Sequence, residues 1–284
     1  MIPAGACDCH VHVFGEPARY PYADNRRYTP GIASVAELDA LHRSLGITRT
    51  VVVQPSPYGT DNACTLDAVA QMGARARAVA VIDPQIDDDS LDAMHRRGVR
   101  GVRVNLETEG ARDIAAAGKA LRDIAARVQA WHWHVQVYAD IEVIAGLASD
   151  IRALPTPLVV DHFGKTSAAL GPDHPPFKAL HGLVADGFAY VKLSAAHRVS
   201  TAPDCEDAGA LALALLEAND ERLVWGSDWP HPGGARSEQR SIEPFNDIDD
   251  SRALERLVQW IDDERRIRQI LVDNPARLYD FPSD

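Results

Sequence analysis

The sequence predicts a closed (β/α)8 TIM barrel, an α/β fold in which eight parallel strands alternate with helices. β-branched apolar segments alternate with helical segments eight times along the chain. The strand segments are apolar almost throughout, as in parallel sheets that are covered on both faces. At 284 residues the chain lies in the range where such barrels stay undivided, so we expect one domain over residues 1–284. An open doubly wound sheet is the alternative, but no GxGxxG motif follows the first strand.

Local patterns indicate each element in turn. The first strand lies in CDCHVHVFG, and the next helix, SVAELDALHRSLG, has Ser34 as N-cap, Glu37 three residues later and Gly46 at its end. The later elements are, in chain order, strand RTVVVQPS, helix NACTLDAVAQMG, strand RAVAVID, helix DSLDAMHRRG, strand VRGVRVNL, a helix from about Ala111 to Trp131, strand HVQVYAD, helix IEVIAGLASDIRAL, strand PLVVDHFG, helix PPFKALHGLVADG, strand YVKLSA, helix AGALALALLEAND, strand RLVWGSDWP and helices that end in ILVDNPARLYDF. Two segments, Glu16 to Ile32 and His231 to Asp250, follow strand ends, and we expect both to form long loops on the active-site face.

Composition excludes several classes of partner. The net charge of −12 disfavours binding to nucleic acid and to anionic membrane surfaces. No segment is apolar over a membrane-spanning length, and the N-terminal MIPAGACDCH lacks the basic and apolar regions of a signal peptide. The four cysteines form no CxxC pair, which favours buried free thiols in a reducing cytoplasm. The sequence leaves the oligomeric state open, and an anionic substrate would require a local group of cations.

Polar side chains gather at the strand ends, where barrels of this class place their active sites. In CDCHVHVFG, strand alternation predicts that Asp8, His10 and His12 point to one face. The sixth strand ends in an aspartate followed by His162, and alternation favours His162 as the inward residue. The eighth strand ends in Asp228. A packed barrel core has no structural need for three histidines and an aspartate at one rim, so this cluster predicts a functional site.

Further polar residues mark the other strand ends. They are Gln54 and Ser56, Arg103 and Asn105, Tyr138 and Asp140, Ser194, Ser227 and His231. The remaining histidines are interpreted mainly as structural. His132 and His134 of WHWH begin the fifth strand, on the face that stabilises the barrel, whereas His42, His95 and His181 lie on predicted helices.

The order of the motifs resembles a known family. DCHVHVFG, RYTP, VVVQPSPYGTDN, GVRGVRVNL, VVDHFGK, WGSDWPHP and LVDNPARLY together resemble the amidohydrolase superfamily, and within it the 2-pyrone-4,6-dicarboxylate lactonase-like group, over residues 6 to 281. HxH alone is a weak signal, whereas HxH followed by VVDH and WGSDWPH in this order is specific. The resemblance implies an amidohydrolase-type barrel and a hydrolase that opens a small lactone bearing a carboxylate.

The resemblance also implies a role for each matching residue. His10, His12 and His162 would polarise the lactone carbonyl as hydrogen-bond donors, and Asp228 would activate water as the general base. The implied substrate-binding residues are Tyr28, Ser56, Arg103, Tyr138, Lys165, Arg198 and His231. These roles suit a lactone, because hydrolysis of an activated ester needs a positioned base and a stabilised oxyanion. Arginine suits carboxylate recognition because its guanidinium binds carboxylates in a bidentate manner.

The chain departs from this group at two places. It carries Glu107 and Glu109 after the fourth strand, where the pyrone-dicarboxylate lactonases have a further arginine. Lys165 stands where those enzymes tend to have an arginine. One carboxylate clamp is therefore weakened or lost. The substrate stays open between a 2-pyrone-4,6-dicarboxylate-like and a sugar-acid lactone, and the reaction between hydrolysis and isomerisation of the galactarolactone type.

The histidine–aspartate cluster also allows a metal site. His10, His12, His162 and Asp228 could hold one Zn or Mn ion, because three protein ligands plus water form a standard catalytic zinc arrangement. A mononuclear metal-dependent hydrolase or decarboxylase is thus an alternative, and a non-catalytic binding protein is another. Tyr138 stands where metal-dependent relatives often place histidine, and the nearest resemblance is to lactonases that work without metal. We therefore expect that activity requires no metal.

Overall fold

The computed structural model describes residues 2–106, 113–233 and 241–282. Its strands are β1 (Cys7–Val11), β2 (Thr29–Pro30), β3 (Arg49–Val53), β4 (Ala76–Ala80), β5 (Val99–Asn105), β6 (His134–Tyr138), β7 (Leu158–Val160), β8 (Ala189–Ser194), β9 (Leu223–Gly226) and β10 (Ile242–Glu243). Eight of them form one parallel sheet in the order β1-β3-β4-β5-β6-β7-β8-β9. This order, with each strand beside its neighbour in sequence, is that of the predicted barrel.

Helices lie between successive barrel strands, and three more of the described α-helices follow the last barrel strand. They are α1 (Val35–Leu45), α2 (Ala63–Met72), α3 (Asp88–Arg96), α4 (Ile114–Val128), α5 (Ile141–Gly146), α6 (Ala148–Arg152), α7 (Pro175–Ala185), α8 (Ala208–Asn219), α9 (Asp250–Ile261), α10 (Glu264–Arg268) and α11 (Asn274–Tyr279). Helix α1 begins with the predicted capping box of Ser34 and Glu37 and ends at Gly46, whose φ of 73° suits glycine. Helix α4 begins after the N-cap Asp113, and its predicted start at Ala111 lies outside the described residues.

Contacts between the first and last barrel strands close the sheet. The amide of His12 donates to Trp229 O at 2.8 Å, and the amide of Asp228 donates to His10 O at 2.9 Å. Below them, Asp8 Oδ1 accepts from the amides of His10 at 3.2 Å and Ser227 at 2.9 Å. The predicted closed barrel is therefore confirmed, and the open doubly wound sheet is excluded.

The interior of the barrel changes from apolar to polar along its axis. At the amino-terminal ends of the strands a compact apolar cluster fills it, formed by Cys7, Cys9, Val51, Val53, Val79, Val224, Tyr279 and Phe281. Buried polar residues follow toward the opposite end, among them Gln136, Asp161 and Lys192. No helix in the described ranges is long and apolar enough to cross a membrane.

The two long loops predicted on the active-site face contact each other. Strand β2 of the first loop pairs in parallel with β10 of the second, Thr29 lying opposite Ile242 and Pro30 opposite Glu243. The rings of Phe14 and Phe245 stack nearby, with centroids 5.8 Å apart. Residues 234–240 of the second loop lie outside the described part of the chain. Pairing of the loops holds the segment that carries Tyr28 beside the barrel mouth.

Candidate active site

A cleft at the carboxyl ends of the barrel strands brings together most of the residues predicted from sequence. Its lining residues are His12, Tyr28, Pro55, Ser56, Arg103, Asn105, Tyr138, His162, Arg198, Asp228, Pro232 and Gly233. His10 lies directly beside them, with its ring centroid 5.0 Å from that of His12 and 4.7 Å from that of His162. The polar lining and the apolar base of the barrel together give a site suited to a small polar molecule.

Asp228 lies at the centre of this cleft, and its two oxygens have different surroundings. Oδ1 faces three imidazole nitrogens, Nε2 of His10 at 3.7 Å, of His12 at 3.8 Å and of His162 at 3.6 Å. Oδ2 accepts one hydrogen bond from Arg198 Nε at 2.9 Å and lies 2.8 Å from NH2 of the same guanidinium in an ion pair. One carboxylate oxygen is therefore held by a cation, and the other is directed at the histidines.

The electrostatics favour an ionised aspartate among neutral histidines. Burial raises the pKa of Asp228, but the combined effect of Arg198 and of His162, His10 and His12 outweighs burial and holds that pKa well below its usual value. Burial lowers the pKa of both His12 and His162 to about 4, and it holds the pKa of His10 well below its usual value. Near neutral pH the site therefore contains one carboxylate, three uncharged imidazoles and a guanidinium.

The hydrogen-bond partner of each histidine Nδ1 decides whether the Nε2 of that histidine donates or accepts in the cleft. His12 Nδ1 lies 2.8 Å from Val53 O, and because a carbonyl only accepts, Nδ1 must carry the proton. A neutral His12 then presents Nε2 to the cleft as an acceptor, which differs from the expectation that all three histidines donate. His162 Nδ1 lies 2.7 Å from Ser194 Oγ, a hydroxyl that can donate or accept, so His162 Nε2 can be either a donor or an acceptor in the cleft.

A buried polar layer lies directly beneath His10, and sequence patterns did not indicate it. Lys192 Nζ lies 3.2 Å from His10 Nδ1 and 2.7 Å from Gln136 Oε1. Asp161 Oδ2 accepts from Gln136 Nε2 at 3.0 Å and lies 3.4 Å from Arg103 NH2. A lysine and a glutamine inside the apolar strands YVKLS and HVQVY were the available signals.

Strand alternation was an unreliable guide at two strand ends. It favoured His162 over Asp161 as the inward residue, yet both face the interior, because β7 ends at Val160 and His162 has a φ of 50°. It also placed Asp8 on the face of the two histidines. The register of β1 is irregular between Asp8 and Val11, and Asp8 lies 3.3 Å from His42 of α1 instead.

Two of the implied substrate-binding residues do not line the cleft. His231 Nε2 lies 3.2 Å from Asp250 of α9, so its ring is oriented by that helix. Lys165 lies at the edge, where Nζ donates to Asp140 Oδ1 at 2.7 Å and sits 5.5 Å from the centre of the Tyr138 ring. The acidic residues Glu107 and Glu109 lie outside the described residues.

Comparison with known proteins agrees with this geometry. The family model described as amidohydrolase matches residues 7–281, nearly the whole chain. The chain belongs to the amidohydrolase family. This confirms the family inferred from the motifs.

Curated relatives of this amidohydrolase act on lactones. It is 34% identical to 4-sulfomuconolactone hydrolase of Hydrogenophaga intermedia, over 98% of this chain and 90% of the relative. It is 35% identical to 2-pyrone-4,6-dicarboxylate hydrolase of Comamonas testosteroni, over 98% of this chain and 91% of the relative. A more distant relative, at 27% identity over 98% and 92% of the two chains, is D-galactarolactone isomerase of Agrobacterium fabrum.

Solved structures share the barrel. A candidate 2-pyrone-4,6-dicarboxylic acid hydrolase from Pseudomonas putida superposes with a TM-score of 0.84 at 29% identity, over 99% of this chain and 100% of that one. An amidohydrolase from Burkholderia multivorans that carries bound zinc superposes with a TM-score of 0.73 over 98% and 99% of the two chains. At 20% identity the second comparison supports the fold alone.

The residues of this amidohydrolase could hold a metal ion by distance, but their hydrogen bonding fits one only in part. The ligand atoms of His10, His12 and Asp228 lie within 4.8 Å of one another, as do those of His10, Asp161 and His162. His12 fits, since its Nδ1 bond to a carbonyl is the usual support of a metal-binding histidine. His10 fits less well, because its Nδ1 lies 3.2 Å from the Nζ of Lys192, whereas a metal-binding histidine usually has an acceptor there.

Proposed function

We propose that this amidohydrolase is a lactonase that hydrolyses a lactone bearing at least one carboxylate, of the 2-pyrone-4,6-dicarboxylate-like or sugar-acid class. The observation that carries this proposal is the asymmetric environment of Asp228, with Oδ2 held by Arg198 and Oδ1 facing three histidines. Two lactone hydrolases, at 34% and 35% identity over nearly the whole chain, support it.

In this scheme Asp228 and His12 position the attacking water. Asp228 Oδ1 and His12 Nε2 are both acceptors and lie 3.8 Å apart, so a water between them can donate one proton to each. The water oxygen attacks the lactone carbonyl carbon while Asp228 takes the proton as general base. Because Arg198 holds the other carboxylate oxygen, the reacting oxygen keeps a fixed direction.

Histidine N–H groups then stabilise the oxyanion. His10 Nε2 is buried and has no hydrogen-bond partner among the described residues, so a proton on this nitrogen would be available to the carbonyl oxygen of a bound lactone. Collapse of the tetrahedral intermediate breaks the bond to the ring oxygen, which takes the proton from Asp228 and leaves as a hydroxyl. The products are one carboxylate and one alcohol in the same opened molecule.

Cations at the mouth give the preference for an anionic lactone. In a chain of net charge −12, the cleft is lined by Arg103 and Arg198, with the hydroxyl-bearing side chains of Tyr28, Ser56 and Tyr138 beside them. The contact of Arg103 with Asp161 is long, at 3.4 Å, which leaves its guanidinium able to bind a carboxylate. A substrate carboxylate that approaches Arg198 would compete with Asp228 for it and make Asp228 a stronger base.

A panel of lactones tests this function. Purified protein is incubated with 2-pyrone-4,6-dicarboxylate, muconolactones, and aldonic and aldaric lactones, and the products are identified by NMR. We expect ring opening of a carboxylate-bearing lactone with uptake of one water. Migration of the ring oxygen without net hydrolysis would instead identify an isomerase, the alternative supported by the 27% identical D-galactarolactone isomerase. Absence of turnover on every lactone would overturn the proposal.

Hydrolysis in this scheme requires no metal. A Zn or Mn ion held by His12 and Asp228 would polarise a carbonyl or lower the pKa of a bound water. The N–H of His10 supplies the electrophilic assistance in its place, and a lactone needs less assistance than an amide. A mononuclear metal-dependent hydrolase or decarboxylase is thus the less favoured alternative, since its ligand set would include His10.

We also propose a single domain over residues 1–284 and a cytoplasmic location. The family match across residues 7–281 supports one domain. Free thiols at all four cysteines, three of them buried, are typical of a reducing compartment. Fractionation of the native host followed by immunodetection tests the location.

A further inference from the structure

Lys192 is buried at the centre of the barrel, an unusual place for a cationic side chain. Its side chain has 0% relative exposure, and it extends from the middle of β8 toward the underside of His10. Burial of an ammonium costs free energy unless each of its protons is bonded. An apolar residue would suit this buried position of the strand, so the presence of a lysine needs an explanation from the groups around its Nζ.

The three protons of the Lys192 ammonium have three acceptors. Nζ lies 2.9 Å from Cys9 O and 2.7 Å from Gln136 Oε1, two oxygens that can only accept. The third neighbour within hydrogen-bond distance is His10 Nδ1 at 3.2 Å. Nζ also lies 3.6 Å from the carboxylate of Asp161, whose negative charge favours an ammonium at this position.

The opposite arrangement, in which His10 Nδ1 carries the proton, fits the geometry less well. Its acceptor would be Asp161 Oδ1, which lies 3.3 Å from Nδ1 yet receives no hydrogen bond from any side chain in the described structure. A protonated Nδ1 would also direct its hydrogen at the ammonium of Lys192. The orientation of the His10 ring therefore fits an Nδ1 that accepts.

We propose that Lys192 is a positioning residue that fixes His10 as the tautomer with its proton on Nε2, so that His10 donates to the lactone carbonyl. This role rests on the proposed lactonase function. The two histidines of β1 then differ in hydrogen bonding: His10 Nε2 donates, whereas His12 Nε2 accepts because His12 Nδ1 donates to Val53 O. It also weakens His10 as a metal ligand, since a neutral ring with hydrogen on Nε2 has no lone pair there for an ion.

The tautomer can be observed without any substrate. Protein labelled with 15N-histidine is studied by long-range 1H–15N NMR at neutral pH, and the His10 signals are assigned from their loss in His10→Asn. We expect a protonated Nε2 and an unprotonated Nδ1. A protonated Nδ1 in the wild-type protein would overturn the proposal by itself, so the test does not depend on whether any Lys192 variant folds.

Lys192→Met then removes the donor while keeping the length of the side chain. We expect the His10 proton to move to Nδ1, where Asp161 can accept it, and the affinity for zinc to rise by about tenfold or more, as measured by competition with a chelator. The kcat on a lactone should fall by about 10²-fold with little change in KM, as for loss of an oxyanion donor. Lys119→Met, at a lysine exposed on α4, is the matched control and should change none of these quantities.

The outcomes separate the two proposals. An Nε2–H tautomer that is lost in Lys192→Met, together with no turnover of any lactone, would support the positioning role and refute the lactonase function. Lactone hydrolysis by the wild-type protein, together with an unchanged His10 tautomer in folded Lys192→Met, would support the lactonase function and refute the positioning role. A variant whose zinc affinity equals that of the wild-type protein would also refute control of His10 by Lys192.

Discussion

Replacement of Asp228 by asparagine separates its chemical role from its structural one. The asparagine carbonyl oxygen can accept the hydrogen bond that Arg198 Nε donates at 2.9 Å in the parent protein. The amide nitrogen would then face His12 Nε2, an acceptor in the neutral ring. Asp228→Asn thus preserves the local shape and removes the negative charge together with the ability to take a proton.

The expected effects differ in size for catalysis and for stability. Loss of a general base lowers kcat by about 10²–10⁴-fold, which corresponds to about 2.7–5.4 kcal/mol of activation free energy. The hydrogen bond from Arg198 keeps its charged donor but loses its charged acceptor, at a cost of about 1–1.5 kcal/mol. The melting temperature should therefore fall by only about 2–6 °C.

Steady-state kinetics on the lactone identified in the panel, with calorimetry on the same preparations, measure both effects. Asp186→Asn is a matched control, because Asp186 also pairs with an arginine, Arg152 at 2.6 Å, but at the protein surface. We expect the control to retain full turnover. If Asp228→Asn keeps near wild-type kcat, Asp228 is not the general base. If instead it unfolds at room temperature, the carboxylate serves mainly to hold the barrel rim together.

Three further expectations follow from the same geometry. Arg103→Met should raise KM by about one to two decades for carboxylate-bearing lactones relative to their methyl esters, since a charge-assisted contact contributes about 1.5–3 kcal/mol. Arg100→Met is the control, because Arg100 lies on the same strand but pairs with Asp280. Equal losses for acid and ester would show that Arg103 has a structural role. The free energy of unfolding should fall as pH drops from about 6.5 toward 4, because His12 and His162, with folded pKa values of about 4, bind protons more readily in the unfolded chain. Denaturant titrations at several pH values measure this free energy. A value that does not change with pH would show that these rings are not buried and neutral. Exhaustive chelation should leave turnover unchanged, whereas loss of activity that zinc or manganese restores in proportion to occupancy would establish a mononuclear metal enzyme.

The barrel could be predicted because its signals are local and repeated. Each strand is a short β-branched run, and helix boundaries such as the capping box of Ser34 and Glu37 depend on residues close in sequence. The rim cluster could also be predicted, since the carboxyl ends of parallel strands converge whatever the loops do. His10, His12, His162 and Asp228 accordingly lie together in the structure.

The environment of each predicted residue depends on contacts far apart in sequence, and this is where prediction from pattern ended. Whether His231 faces the cleft is decided by Asp250, which arrives on a helix 19 positions later. The partners of Lys192 come from β1, from β6 and from the residue after β7, so a lysine in an apolar run gave no indication of what it bonds. Strand parity failed at Asp161 and His162 because the backbone is still extended at Asp161 and leaves this geometry at His162, which has a φ of 50°.

The carboxylate of Asp8 has a consequence for when activity first arises during synthesis. It joins the amide of the nearby His10 to that of Ser227, which lies 219 positions after Asp8 along the chain. The pair His10 and His12 emerges from the ribosome early, but Arg198 and Asp228 emerge only after most of the barrel strands have been synthesised. A nascent chain therefore has no hydrolytic capacity until the last barrel strand docks against the first. The appearance of turnover would report directly on that docking event.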